Sequence, residues 1–130
     1  MSETITLGTA IGILVLLQLK HMLADFFMQT PIMLVDRARY VHVGRALHCL
    51  VHAVGSVLCF LLAGLPMGVL FLIVFAEWII HFHIDYGKGR WSDMKNHTPN
   101  EAGFWRAFGV DQTLHQLTYV AMLWAAVWLT

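Results

Sequence analysis

Residues 15–29 read VLLQLKHMLADFFMQ, an apolar run broken near its end by His21 and, four residues later, by Asp25. A run this apolar reads as part of a membrane-crossing helix. Residues four apart on a helix stand one turn apart on the same face. The pair therefore sets an imidazole and a carboxylate together inside an apolar segment, where a charged group costs about 2.5–3.5 kcal/mol on insertion scales. The rest of the chain repeats the construction.

The chain has 130 residues, enough for one domain. It is 58% hydrophobic and 12% charged, with a mean hydropathy of +0.67. A soluble domain carries about 25% charged residues. This chain lacks the charge to cover a water-facing surface and reads as a membrane protein; the expected location is the inner (cytoplasmic) membrane, crossed several times. Its formal net charge is zero, so no basic surplus exists to neutralise phosphates and a nucleic-acid partner is excluded. Cys49 and Cys59 share one apolar segment and read as small buried hydrophobes, not as a disulfide framework. The opening MSETITLGTAIGILVLL has no basic residue and carries Glu3. That disfavours a cleaved signal peptide and favours a retained first helix.

Four segments approach the roughly 20 apolar residues a spanning helix needs: 5–27, 46–63, 66–88 and 108–128. The connections are 29–45, between the first two, and 89–107, between the last two. The turn AGLP at 63–66 is so short that the second and third spans must be antiparallel neighbours, with Pro66 as a first helical residue. Thr98, Pro99 and Glu101 read as a helix start, with Thr98 as N-cap, which begins the fourth helix early. Gly103 and Gly109 are its candidate kinks. Arg37, Arg39, Arg45, Lys88, Arg90, Lys95 and Arg106 lie in or beside the two long connections. By the positive-inside rule these connections are cytoplasmic and both termini lie on the non-cytoplasmic side. The expected fold is an all-α, four-transmembrane-helix antiparallel bundle in a single membrane domain. Gly8 and Gly12 form a GxxxG that suits helix packing or a homo-oligomer.

Each span carries one polar pair at helical spacing: His21 and Asp25, His48 and His52, His81 and Asp85, Asp111 and His115. The pairs lie late in the first and third spans and early in the second and fourth. Alternating direction brings all of them to one level, a turn or two below the cytoplasmic interface. Five histidines and three aspartates then face the bundle interior. Neutral imidazole with carboxylate is a ligand set for zinc, manganese or iron, and helix bundles build such sites from facing side chains. One or two divalent ions are expected, zinc foremost; with one ion, the remaining groups orient ligands or move protons. The alternative is a metal-free network, either a proton path or a His–Asp lattice.

Glu77 stands one turn deeper than His81 and reads as a general base, a proton relay or, more simply, a hydrogen-bond partner of His81. Lys88, three residues past Asp85, reads as an anion-binding group or as a lysine snorkelling to the interface. Glu77, Asp85 and Lys88 are the candidate catalytic residues. Gln29 continues the His21–Asp25 stripe, and neither it nor Gln112 has an assigned role. His83 points to another face, and His42 and His97 fall in connections, so all three are set aside.

The combined pattern HxxADFxxQ (21–29), HxxxH (48–52), HxIDxxK with its lysine at 88 and FxxDQxxH (108–115) resembles a bacterial and phage family of small multi-pass membrane proteins. That family is one of unknown function. The resemblance runs from the end of the first span to the middle of the fourth, and it implies that these positions are the family's signature. The pattern is also distantly similar to inner-membrane metal-dependent hydrolases.

Three function classes compete. A membrane-embedded metal-dependent hydrolase would use the ion to activate water, with membrane lipids around it and an anionic lipid-linked substrate held near Lys88. A divalent-cation or proton transporter would explain intramembrane His and Asp, but outer segments such as IGILVLL and VAMLWAAVWL offer no continuing ionisable path. A di-iron or haem redox protein lacks the adjacent HxxHH runs of di-iron oxygenases, and haem ligation leaves three aspartates unexplained. A non-enzymatic membrane subunit, bound to a partner through its basic connections, is the remaining reading.

Overall fold

The computed structural model describes residues 5–130, so the reading of Glu3 lies outside the described residues. The helices are α1 (Leu7–Phe26), α2 (Pro31–Leu34), α3 (Val43–Leu62), α4 (Met67–Lys95) and α5 (Ala102–Leu129). The four long helices close a ring in which α1 and α4 each pack on both α3 and α5, while α2 rests on α3. No strand occurs among the described residues.

Local chemistry sets the helix ends. Thr6 caps α1 by accepting from the Thr9 backbone N–H at 3.1 Å, and His42 caps α3 by accepting from that of Arg45 at 2.8 Å. The α3–α4 turn needs Gly64, whose φ of 73° lies in the left-handed region. Pro66 is the N-cap of α4 and Met67 its first helical residue. α4 continues past residue 88 to Lys95, where Asn96 ends it at φ 53°. Its 29 residues span about 43 Å at 1.5 Å per residue, beyond the roughly 30 Å of a hydrocarbon core. α5 starts at Ala102, three residues later than a Thr98 cap implies, and runs unbroken through Gly103 and Gly109. Glu101 does reach back, accepting from the Thr98 N–H at 2.6 Å and hydroxyl at 3.0 Å. The Thr98 carbonyl meanwhile accepts from the Glu101 N–H at 2.9 Å, so 98–101 closes as a turn ahead of the helix.

Segment 29–45 is more than a connection. Arg45 opens the first turn of α3 and is buried; its guanidinium donates to the carbonyls of Tyr40, at 3.0 Å, and Arg37. The same guanidinium sits 5.0 Å from the Phe82 ring centroid and 5.2 Å from that of Tyr86. Gly44 and Gly89 permit the close approach, since a Cβ at either would strike the Ile32 or Arg37 carbonyl.

The bundle divides in two along its length. Around the α3–α4 turn its interior is apolar, built from Ile13, Leu17, Phe60, Leu70, Ile73 and Met122. Towards the α4–α5 connection it becomes polar. Outward faces stay apolar and exposed, as at Ile11, Leu58, Phe71, Phe75 and Trp124. Helices α1, α3 and α4 are long and apolar enough to cross a membrane. α5 matches them in length, but Asp111, Gln112, His115 and Gln116 dilute its apolar character.

Candidate metal centre

The polar end of the ring holds all eight side chains of the four pairs. Five imidazoles pack together, with the His81 ring central at 4.1 Å from both His52 and His115. His21 lies 5.2 Å from His52 and from His115, and His48 lies 4.7 Å from His52. Among these eight residues, the histidines and Asp111 are buried, while Asp25 and Asp85 are partly buried.

Around Asp25 the hydrogen bonds are complete. His52 Nε2 donates to Asp25 Oδ1 at 2.9 Å and Gln112 Nε2 donates to Asp25 Oδ2 at 3.1 Å. Lys20 Nζ donates to the Tyr119 hydroxyl at 3.2 Å, so the Tyr119 O–H donates in turn to His21 Nδ1 at 2.8 Å. That leaves His21 Nε2 as the donor to Gln112 Oε1 at 2.9 Å, with Asp25 Oδ2 at 3.1 Å. Both ring nitrogens of His21 are thus spent. His52 Nδ1 faces Lys20 Nζ at 3.5 Å, so its two nitrogens are also engaged. His48 Nε2 lies between the two halves, 3.2 Å from Asp25 and 3.6 Å from Asp85.

Around Asp85 they are incomplete. His115 Nδ1 donates to the Asp111 carbonyl at 2.8 Å, which leaves the lone pair of a neutral ring on Nε2. That nitrogen lies 3.4 Å from Asp85 Oδ1, and His81 Nε2 lies 3.5 Å from Asp85 Oδ2. His81 Nε2, Asp85 Oδ2, Asp111 Oδ1 and His115 Nε2 are all buried without a hydrogen-bond partner among the described residues. Each such atom forfeits about 1–3 kcal/mol, and a group of them in one place asks for an explanation such as an ion. Asp85, Asp111 and His115 bring ligand atoms within 4.8 Å of one another, as do Asp25, His48, His52 and His81.

The candidate catalytic residues divide. Asp85 is in the centre. Lys88 donates to Asp111 Oδ2 at 3.1 Å and remains partly exposed. Glu77 accepts from Lys20 Nζ at 2.7 Å, so its partner is a lysine across the bundle and not His81; its Oε2 is buried without a partner. The residues set aside lie elsewhere. His83 bonds Tyr40 at 3.0 Å, His42 caps α3, and His97 faces Glu101 at 3.3 Å.

Sequence reasoning missed Lys20, Tyr119 and Cys49. Lys20 is one residue from the His21 stripe, and its flexible stem turns inward along Gly55, where a Cβ would strike its methylenes. Tyr119 continues the Asp111–His115 stripe by another four residues, a signal that was available. Cys49 is buried as expected, yet its sulfur also belongs to a close group with His81 and Asp85.

The chain belongs to the family described as "Protein of unknown function (DUF3307)", whose family model matches residues 13–130. No curated protein and no solved structure matches it.

Proposed function

We propose that the protein is a polytopic membrane protein whose Asp85 half binds a divalent metal, zinc foremost, and that it acts as a metal-dependent hydrolase on a membrane or lipid-linked substrate. One observation carries the metal: His115 Nε2 and the Asp85 carboxylate face each other at 3.4 Å, and this nitrogen, like Asp85 Oδ2, is buried without a hydrogen-bond partner. With the His115 ring neutral, two acceptors meet there, and a cation held by Asp85, Asp111 and His115 would remove the conflict. Asp85, Asp111 and His115 would form the first ligand set, and His81, which groups with Asp85 and Cys49 as well as with the Asp25 half, stands between the two. Asp25, His48 and His52 complete that ion's surroundings or hold a second, and His21 orients Asp25. Such an ion supplies Lewis acidity, lowering the pKa of a water at the site and polarising a phosphoryl or acyl oxygen.

The chain's own residues provide the rest. Asp25, an acceptor for two N–H donors, holds His52 and Gln112 in place beside the site. Lys88, tied to Asp111 and partly exposed, is placed to hold an anionic group once a metal takes Asp111. The apolar interior on the other side of the centre favours this reading over transport, which needs a continuing polar path.

The membrane arrangement follows the same reading. α5 is the fourth span, because Asp111, His115 and Tyr119 face inward and Thr113 and Thr118 return their hydroxyls to carbonyls of their own helix at 2.8 and 2.9 Å. The basic connections face the cytoplasm, and both ends of the chain face the other side.

The test is turnover of lipid phosphates and lipid esters by the protein in detergent, with and without added zinc or manganese. Metal-dependent turnover lost in Asp85→Asn supports the hydrolase. Zinc flux into liposomes abolished by the same substitution, without turnover, would replace it with the transporter.

A further inference from the structure

Beside the centre, a cleft of about 1020 Å³ opens between α4 and α5. Its wall carries Lys88, Lys95 and Arg106, with Trp91 beside them and Asp111 as its one carboxylate. Lys95, Arg106 and Trp91 are exposed. A second cavity of about 510 Å³ follows the same helix pair towards the apolar end, lined by Leu72, Ala76, Leu117, Ala121 and Leu129. The two share Ile80, Ile84 and Leu114, so they form one groove. From residue 72 to residue 95 it follows α4 for about 35 Å at 1.5 Å per residue.

The groove is cationic and aromatic at one end and mostly apolar along the rest, where Thr118 and the Lys20-paired Glu77 also reach its wall. Its innermost polar wall is Asp111 with Lys88, the same contact that borders the metal centre. From this we infer that the α4/α5 groove is a binding site for an anionic phospholipid. The phosphate is held by Lys95 and Arg106, with Lys88 joining them once a metal takes Asp111, and one acyl chain lies along Ile80, Ile84, Leu114 and Leu117. A free anion would use only the basic end, and a neutral lipid only the apolar part; the groove joins both. As the substrate site, it rests on the hydrolase reading, since it delivers the headgroup to the wall of the centre. As a lipid site it does not.

Native mass spectrometry of the intact protein in detergent, with metal removed by chelator, tests it against phosphatidylglycerol and phosphatidylcholine of matched chains. The intact protein is expected to retain phosphatidylglycerol about tenfold or more over phosphatidylcholine, the scale of a few cations meeting one anionic headgroup. Lys95→Gln with Arg106→Gln is expected to abolish most of that preference. Arg39→Gln with Arg90→Gln removes the same charge from exposed positions outside the groove and is expected to leave it. Equal retention of the two lipids, or equal loss in both double variants, would reduce the site to ordinary membrane electrostatics and overturn it. Disulfide cross-linking of Ile80→Cys between copies in native membranes would overturn it too, by assigning the groove to a dimer. Because metal is absent, loss of the lipid preference leaves the metal centre untouched. A failure to bind metal leaves the lipid site standing without its substrate role.

Discussion

Asp25 and Asp85 each stand four residues beyond a histidine of their own helix, and each meets imidazoles from other helices. Their surroundings nevertheless differ. Asp25 accepts from His52 and Gln112, with His21 close by, and its half of the centre is closed by hydrogen bonds. Asp85 faces two imidazole nitrogens at 3.4 and 3.5 Å that give it nothing, and one of its oxygens is buried bare. The difference comes from α5. Gln112 and Tyr119 saturate the Asp25 half, while the Asp111 carbonyl takes the one proton His115 has to give. Identical spacing on two helices therefore produces a fully hydrogen-bonded carboxylate in one place and one with an oxygen left bare in the other.

The sharpest way to break that contrast is to neutralise each carboxylate in turn. Asp85→Asn is expected to lower zinc affinity, measured by calorimetric titration, beyond the about 10–100-fold range of outer-shell losses. Asp25→Asn and His21→Gln are expected to stay within it. Equal losses would erase the distinction between the halves.

Next in size is the Lys20–Glu77 pair, which lies beneath the Asp25 half with side-chain exposures of 9% and 1%. Glu77→Leu leaves a buried lysine uncompensated and is expected to cost about 3–5 kcal/mol in unfolding experiments, with much of it recovered in the double variant Lys20→Met, Glu77→Leu. Tyr119→Phe removes the hydroxyl linking that pair to His21. A loss of about 1–3 kcal/mol is expected, with a smaller drop in metal affinity than Asp85→Asn causes.

The smallest effect lies outside the bundle. Glu101, held by the Thr98 N–H first and then by His97 and the Thr98 hydroxyl, has its carboxyl pKa lowered below the ordinary 4.5. A depressed carboxyl stabilises the fold above its unfolded value, and that contribution disappears as pH falls through the folded one. Amide protection in the 98–104 turn, taken relative to an unstructured chain at the same pH, is therefore expected to fall on acidification in the intact protein and to show no such step in Glu101→Gln.

The sequence pattern carried the level of the centre because helical spacing and antiparallel order determine depth, as the His81 ring between His52 and His115 illustrates. It did not carry which nitrogen holds a proton. That depends on contacts between helices far apart in the chain, such as Tyr119 to His21 and Gln112 to Asp25. Lys20 was hidden for a related reason: a long side chain one position off the stripe can turn into the bundle where Gly55 leaves room. The helix ends were blurred at 88 and 108 because apolar content falls away there, whereas α4 and α5 continue as helices past those positions.

Elemental analysis of protein purified without chelators, with Asp85→Asn prepared alongside, tests the metal centre most directly. At least one equivalent of a divalent transition metal per chain is expected in the wild type, falling to background in the variant. A wild type that stays metal-free after incubation with zinc, manganese and iron would contradict it, and the bare nitrogens of His81 and His115 would then belong to a proton-holding lattice instead.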